Sequence, residues 1–144
     1  LLRGLQRERG MALILVTHNM GVVAEMAHRV AVMYAGQIVE ERTADALFSA
    51  PQHPYTAALL AAMPERSTVD ARLATIPGVV PGLYDRPSGC LFAPRCTYAT
   101  NLCRAARPEL RDWMVGRVRC HYPLSDAQRE AAMAHDRTVE AARS

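Results

Sequence analysis

The sequence predicts an α/β fold that ends in a hairpin edge and is followed by a loop-rich region containing cysteines. Apolar runs of strand length alternate with segments of helical periodicity up to residue 63. Gly36 separates two of these runs by a turn so short that the strands should pair antiparallel. Proline and glycine then become frequent, and all four cysteines lie in this second part of the chain.

Length, composition and charge exclude several classes of function. The chain has 144 residues, of which 50% are hydrophobic, and this is enough for one ordinary domain. The net charge of +3 comes from 17 basic and 14 acidic residues that are scattered, so no nucleic-acid partner is expected. No apolar run approaches the roughly 18–20 residues of a membrane-spanning helix. We expect a cytosolic location, where disulfides are uncommon.

The first elements alternate between helix and strand. Residues 1–9 have helical periodicity and end at Gly10, which suits the position after a helix. This helix begins without a capping residue, so we expect the chain to be the C-terminal portion of a longer protein. The run 11–17 is apolar on both faces and predicts a buried parallel strand, and a short helix is predicted at 20–28.

Two strands and two short helices complete the α/β part. The strands are predicted at 29–35 and 37–42. Thr43 is a suitable cap for a helix over 43–49. The second helix begins within the motif HPYT, which starts at His53.

The HPYT motif has the composition of a site, but it stands where a helix over 55–63 begins. Pro54 suits the first helical position. We therefore expect His53 to cap this helix and to provide a packing surface, and we do not expect it to catalyse. The remaining histidines apart from His18 are expected at the surface: His28, His121 and His135.

The predicted organisation has three parts. Residues 1–63 form the α/β part, and residues 64–123 form a Pro/Gly-rich and cysteine-rich extension. Residues 64–89 are expected to be loop-like because proline and glycine are frequent there, and residues 90–120 have too few aliphatic residues to bury much core alone. Residues 124–144 form a polar helical tail, and Ser125 and Gln128 have the spacing of a capping box at its start.

His18 follows the predicted strand 11–17 and precedes a helix. In open α/β sheets ligands bind at the carboxyl ends of the strands, and a helix N-terminus favours anions. Phosphate is therefore a reasonable ligand. Position alone, however, fits better with a polar residue that merely closes a strand.

The stretches LILVTHNM and AHRVAVMYAGQIVE resemble the end of the nucleotide-binding domain of ABC-transporter ATPases. The segment SAPQHPYTAALLAAMP and the cysteine region resemble the oligopeptide and dipeptide transporter members, with their C-terminal extension. The resemblance implies a C-terminal fragment of an ABC-type nucleotide-binding domain, from the ATP-binding subunit that powers import of oligopeptides or dipeptides. It also implies that His18 is the catalytic switch histidine that contacts the γ-phosphate of ATP, with Asn19 where Asp is usual.

The same resemblance implies the cofactors, partners and location of the parent protein. These are ATP with Mg²⁺, a second ATPase subunit in a homo- or heterodimer, membrane permease subunits, and a peripheral position on the cytoplasmic side of the inner membrane. The sequence 1–144 contains no GxxxxGK[ST] loop, so we expect the fragment alone to be inactive. The alternative is a non-catalytic metal-binding interaction module derived from such a subunit.

The four cysteines lie between residues 90 and 120: Cys90, Cys96, Cys103 and Cys120. Free buried thiols are common in cores, but this region has few aliphatic residues to form one, and disulfides do not suit a cytosolic chain. A metal remains. Structural zinc typically takes closely spaced pairs, whereas iron–sulfur spacings vary more, so spacing leaves both open with a slight preference for iron–sulfur.

The resemblance favours a 4Fe–4S cluster over zinc, because some members of the family are associated with such a cluster at these cysteines. All four matching positions are occupied by cysteine in this chain. A cluster would also hold together a region with little core. Arg95 and Arg104 would offset the negative charge of the cluster, or they are ordinary surface arginines.

Overall fold

The computed structural model describes residues 2–63 and 76–131. The helices are α1 (Leu2–Arg9), α2 (Met20–Met26), α3 (Ala44–Ser49), α4 (Pro54–Ala61) and α5 (Asn101–Ala105), with a 3₁₀ turn at Ala93–Arg95. Residues 126–131 are also helical. The strands are β1 (Arg29–Tyr34), β2 (Gln37–Thr43), β3 (Arg111–Trp113) and β4 (Gly116–Val118). They form one sheet in the order β1-β2-β4-β3, and all of these pairs are antiparallel.

Local signals determine most of the helix ends. Gly10 has φ of +60° directly after α1, which is the conformation that favours glycine at this position. The Thr43 hydroxyl accepts the Ala46 N–H and caps α3. Ser125 and Gln128 each bind the other's backbone N–H through their side chains. These predicted ends are confirmed.

β1 and β2 form the predicted antiparallel hairpin. Tyr34 pairs with Gln37 across a turn in which Ala35 and Gly36 have φ of 48° and 79°. Positive φ at both central residues is the signature of a tight turn whose twist matches that of the strands. The hairpin is therefore specified locally, by four consecutive residues.

Residues 11–17 do not form the predicted buried strand. The run has no regular structure and is exposed, with Ile14 at 90% and Val16 at 93% exposure. The sheet is antiparallel, and none of its strands within the described ranges pairs with this run. A strand is stabilised by hydrogen bonds to its neighbours, so an apolar run without a neighbouring strand stays irregular.

The extension contains regular structure that the sequence did not predict. β3 and β4 form a hairpin, and β4 pairs with β2, so that Glu40 lies opposite Val118. Gly116 is required at the start of β4, because a Cβ there would lie 2.4 Å from the Glu41 carbonyl oxygen. Residues 76–89 are loop-like as predicted. The predictions for 64–75 and 132–144, including His135, lie outside the described residues.

The core draws side chains from both sides of residue 63. Its buried cluster consists of Val32, Tyr34, Val39, Leu47, Leu91 and Phe92. The ring of Phe92 lies edge-on to the ring of Tyr34, with centroids 5.2 Å apart, an arrangement that aromatic pairs favour. The cysteine region therefore packs on the hairpin and does not need a core of its own. The predicted domain boundaries stay a prediction.

The buried carboxylate of Glu40 joins β2 to the turn before α4. Its two oxygens accept the N–H groups of Gln52 and His53 at 2.8 and 2.9 Å. The Arg42 guanidinium lies 4.0 Å away. Burial raises the pKa of the Glu40 carboxyl above its ordinary value, while the two N–H donors and Arg42 oppose that rise. A buried carboxylate is tolerated only with such partners.

We predict that Glu40→Gln lowers the free energy of unfolding by about 1–3 kcal/mol, because the amide –NH₂ must then face one of the two backbone donors. The matched control is Glu41→Gln at the next position, whose carboxylate binds the exposed residues Arg29 and Arg117. Its loss should not exceed about 1 kcal/mol. Urea unfolding followed by circular dichroism measures both variants, and equal losses would contradict the role given to Glu40.

Candidate functional site

The fold brings all four cysteines to one small cavity. Its volume is about 20 Å³, and it is lined by the four cysteines together with His53, Pro54, Phe92, Ala93, Tyr98, His121 and Tyr122. Cys103 and Cys120 are buried, Cys90 and Cys96 are partly buried, and all four are free thiols. The convergence of the predicted metal ligands is the central feature of this part of the molecule.

Short local elements position three of the thiols. The Cys90 N–H donates to the Cys103 carbonyl at 2.8 Å, which ties the two residues directly. Cys96 ends the 3₁₀ turn, its N–H donating to Ala93 at 3.3 Å. Thr100 caps α5 by accepting the Cys103 N–H, and its hydroxyl lies 3.5 Å from the Cys103 sulfur.

The fourth thiol, that of Cys120, is positioned by the sheet. Cys120 follows β4, and the residue between them, Arg119, extends the pairing with β2 by donating its N–H to Val39 at 2.7 Å. The Arg119 guanidinium also donates to the Ile38 carbonyl at 2.9 Å. The unpredicted β4 therefore places Cys120 beside the other three thiols.

Burial keeps three of the thiols protonated, those of Cys90, Cys96 and Cys120. Loss of solvent raises the pKa of Cys120 to about 12 and that of Cys96 to about 11, and it raises the pKa of Cys90 as well. Repulsion from neighbouring thiols adds to each rise. Three of the four thiols are thus neutral at physiological pH, and a metal must displace their protons to bind.

Two arginines oppose these shifts. Arg104 lowers the pKa of Cys96, and Arg107 lowers that of Cys90. The sequence predicts that Arg104 offsets the charge of a cluster or is an ordinary surface arginine, and it makes no prediction for Arg107. Arg95 donates to the carbonyls of Ile76 and Pro77 at 2.7 Å each, and so it fastens a loop.

The four thiols have the right chemistry for a metal centre, but they are not positioned as metal ligands in this structure. Four thiols in one cavity are the ligand set of tetrahedral zinc and of iron–sulfur clusters. Among residues 2–63 and 76–131, however, no three His, Cys, Asp or Glu side chains are already arranged to hold a metal ion. The cavity admits about one water molecule. A cluster would therefore require the thiols to move apart around it.

His53 forms part of the inner wall of the cavity. Its Nδ1 accepts the Tyr55 N–H at 3.0 Å and caps α4, and its ring lies 5.9 Å from that of Phe92. Burial lowers the pKa of His53 to about 3, so the ring is neutral at physiological pH. The predicted capping and packing role is confirmed.

His18 lies outside the cysteine cavity, on the exposed segment before α2. The neighbouring Asn19 caps α2 by accepting the Val22 N–H at 3.1 Å, and the Asn19 N–H donates to the Thr17 hydroxyl at 3.0 Å. His18 is exposed and precedes the cap of α2, as predicted, but the buried strand predicted before it does not form.

Sequence reasoning missed the outer wall of the cavity. His28 is exposed as predicted, but His121 is only partly exposed, and its Nε2 lies 2.9 Å from the Ala106 carbonyl. It lines the cavity with Tyr98 and Tyr122. The only sequence signal was adjacency to cysteines, as in CTY and CHY, and adjacency does not reveal which way a side chain points.

Comparison with known proteins shows what the chain is similar to. Residues 39–103 match the family described as "Oligopeptide/dipeptide transporter, C-terminal region". The chain is 58% identical to the dipeptide transport ATP-binding protein DppD of Escherichia coli K12 over 130 residues, which are 90% of this chain and 40% of that protein. It is 53% identical to the protein of the same name from Haemophilus influenzae over 126 residues, 88% of this chain and 38% of that protein.

The resemblance predicted from the sequence is thus confirmed. Over residues 39–103 the chain matches the family described as oligopeptide/dipeptide transporter, C-terminal region, and over most of its length it is similar to dipeptide transport ATP-binding proteins. It spans about 40% of the length of the curated relatives it matches.

We predict that Gly89→Ala disrupts the cysteine cavity. A Cβ at this position would lie 2.3 Å from the Cys103 carbonyl oxygen, and backbone must move to relieve that contact. The free energy of unfolding should fall by about 1–3 kcal/mol or more, and Cys90 and Cys103 should react faster with iodoacetamide. In the control Gly82→Ala the nearest atom is 3.6 Å away. Indistinguishable unfolding curves for the two variants would contradict the prediction.

Proposed function

We propose that the chain is part of the ATP-binding subunit that powers ABC-type import of oligopeptides or dipeptides, coupling ATP hydrolysis to transport. The observation that carries this proposal is 58% identity, over 90% of the chain, to a protein of dipeptide transport. The parent protein binds ATP with Mg²⁺, and residues 1–144 by themselves do not hydrolyse ATP, because the loop that would hold the phosphates is not among them.

The proposed partners are a second ATPase subunit and membrane permease subunits. Within the described residues no helix is long and apolar enough to cross a membrane. A subunit of this kind reaches the membrane through its partners, so we place the parent on the cytoplasmic side of the inner membrane as a peripheral protein.

His18 is the proposed catalytic residue of this chain. Its imidazole lies directly before the N-terminus of α2, where the partial positive charge of the helix favours anions. An imidazole there can hydrogen-bond the γ-phosphate of ATP as negative charge redistributes in the transition state. The side chain is exposed and unobstructed on the described surface, which supports this role.

We predict that His18→Ala in the full-length subunit lowers kcat for ATP hydrolysis strongly and leaves ATP binding nearly unchanged, because the contact matters most in the transition state. The matched control is Asn19→Asp, which keeps a capping oxygen on α2 and should retain activity. Steady-state ATPase assays of the assembled transporter, with ATP titration by calorimetry, measure both. Near-normal turnover of His18→Ala would refute the assignment.

We also propose that Cys90, Cys96, Cys103 and Cys120 hold a metal centre, a 4Fe–4S cluster in preference to zinc. The support is that these four thiols line one cavity, although they come from four separate segments. When bound, such a centre crosslinks those segments through its thiolate bonds. The role would be structural or sensory, because it fastens a region whose core is small.

We predict that replacing any one of the four cysteines by Ser lowers the metal content and loosens the extension, whereas Thr97→Ser, at an exposed position between Cys96 and Tyr98, does neither. The measurement is anaerobic purification of the full-length subunit, followed by iron, sulfide and zinc analysis and by limited proteolysis. Stoichiometric zinc without iron or sulfide would assign the site to zinc. Four titratable thiols without metal would refute both forms of the proposal.

A further inference from the structure

The cysteine cavity has a closed inner side and one side that faces solvent. Of its seven lining residues other than cysteine, four are buried: His53, Pro54, Phe92 and Ala93. The other three have solvent exposure: Tyr98, His121 and Tyr122. Apart from Cys90 and Cys96 themselves, solvent therefore meets this cavity at these three rings.

The same three rings line a second, much larger surface groove. This groove has a volume of about 640 Å³, and its remaining lining residues are Thr100, Arg111, Trp113, Pro123 and Gln128. Residues that line both spaces form a wall between them that is one side chain thick. The volume lies within the range of about 300–1,000 Å³ that small-molecule sites have, so the groove admits a small metal complex.

The three residues of the wall differ in the contacts that hold their side chains in place. The Tyr98 hydroxyl donates to the Gln128 carbonyl at 3.2 Å, and His121 Nε2–H donates to the Ala106 carbonyl at 2.9 Å. Tyr122 is the most exposed of the three at 47%, and its ring lies 6.3 Å from that of His121. Rotation of Tyr122 therefore opens the wall with the least disturbance of the described contacts.

We infer that the groove is the access route by which metal ions and small thiol reagents reach the two buried cysteines, Cys103 and Cys120, and that Tyr122 is its gate. Arg111 and Trp113 also line the groove, with the guanidinium 4.9 Å from the indole ring, and Arg111 donates to the carbonyls of Cys120 and His121. This arrangement gives the route one cationic and several aromatic surfaces. The role of the route in metal loading rests on the proposed metal centre. The route itself is tested by labelling the metal-free thiols, so the route and the metal centre can be refuted separately.

The test measures alkylation of the metal-free full chain by iodoacetamide, quantified at each cysteine by mass spectrometry. Tyr122→Ala removes the gate and should raise the labelling rates of the buried Cys103 and Cys120 several-fold. Tyr122→Trp narrows the opening and should lower them, and Tyr122→Phe keeps the ring and should leave them unchanged. Tyr84→Ala is the distant control, since Tyr84 is 95% exposed and lines neither space.

The series at one position separates gating from loss of stability. A destabilised variant exposes its thiols more often and reacts faster, so destabilisation cannot explain the slower labelling expected for Tyr122→Trp. Labelling rates that do not follow the order Ala, then Tyr and Phe, then Trp would overturn the inference. An acceleration by Tyr84→Ala as large as that by Tyr122→Ala would overturn it too.

Discussion

The buried carboxylate of Glu40 is the interaction on which the rest of the structure depends. It lies in the middle of β2, between the hairpin partner β1 on one side and β4 on the other. It also accepts the two N–H groups that lead into α4. The Glu40 side chain thereby joins α4, which His53 caps, to β2, the strand that pairs with β4 of the extension. Because no water replaces these bonds in the interior, the arrangement has little freedom to vary.

Arginine side chains donate the hydrogen bonds that strands and helices supply in other parts of the fold. Carbonyl oxygens in the loops of the extension lie outside strands and helices, so they accept hydrogen bonds from side chains instead. Arg95 serves the loop at residues 76–77, Arg107 serves Pro87 and Gly89, and Arg119 serves Pro108 and Ile38. A guanidinium has five donors in a rigid fork, so one residue can fasten two segments. This accounts for an ordered extension with few strands.

The candidate metal centre and the hairpin share one packed unit. Phe92, between Cys90 and Cys96 in the chain, packs its ring near those of Tyr34 and Tyr55, and Cys120 continues directly from the residue that pairs with Val39. Any displacement of the four thiols is therefore transmitted to β2 through close-packed contacts. The capped α4 forms the floor of the cavity, which explains why the HPYT motif is structural although it borders the site.

The sequence by itself determined the features that depend on neighbouring residues. The turn at Gly36, the caps at Thr43 and His53 and the Ser125–Gln128 box each involve atoms only a few residues apart, so their residue types were sufficient. The family resemblance likewise lay in the letters of the chain. It pointed to the four cysteines before any spatial relation among them was visible.

Only the tertiary structure decided the features that depend on distant partners. Residues 11–17 are apolar enough for a strand, but a strand exists through its neighbours, and none pairs with them in the described ranges. β3 and β4 are three residues each and carry no periodic signal. They form because β4 pairs with β2. That pairing sets the direction of Cys120 and His121. The cavity and its outer wall follow from contacts between residues far apart in the chain, which composition and spacing do not encode.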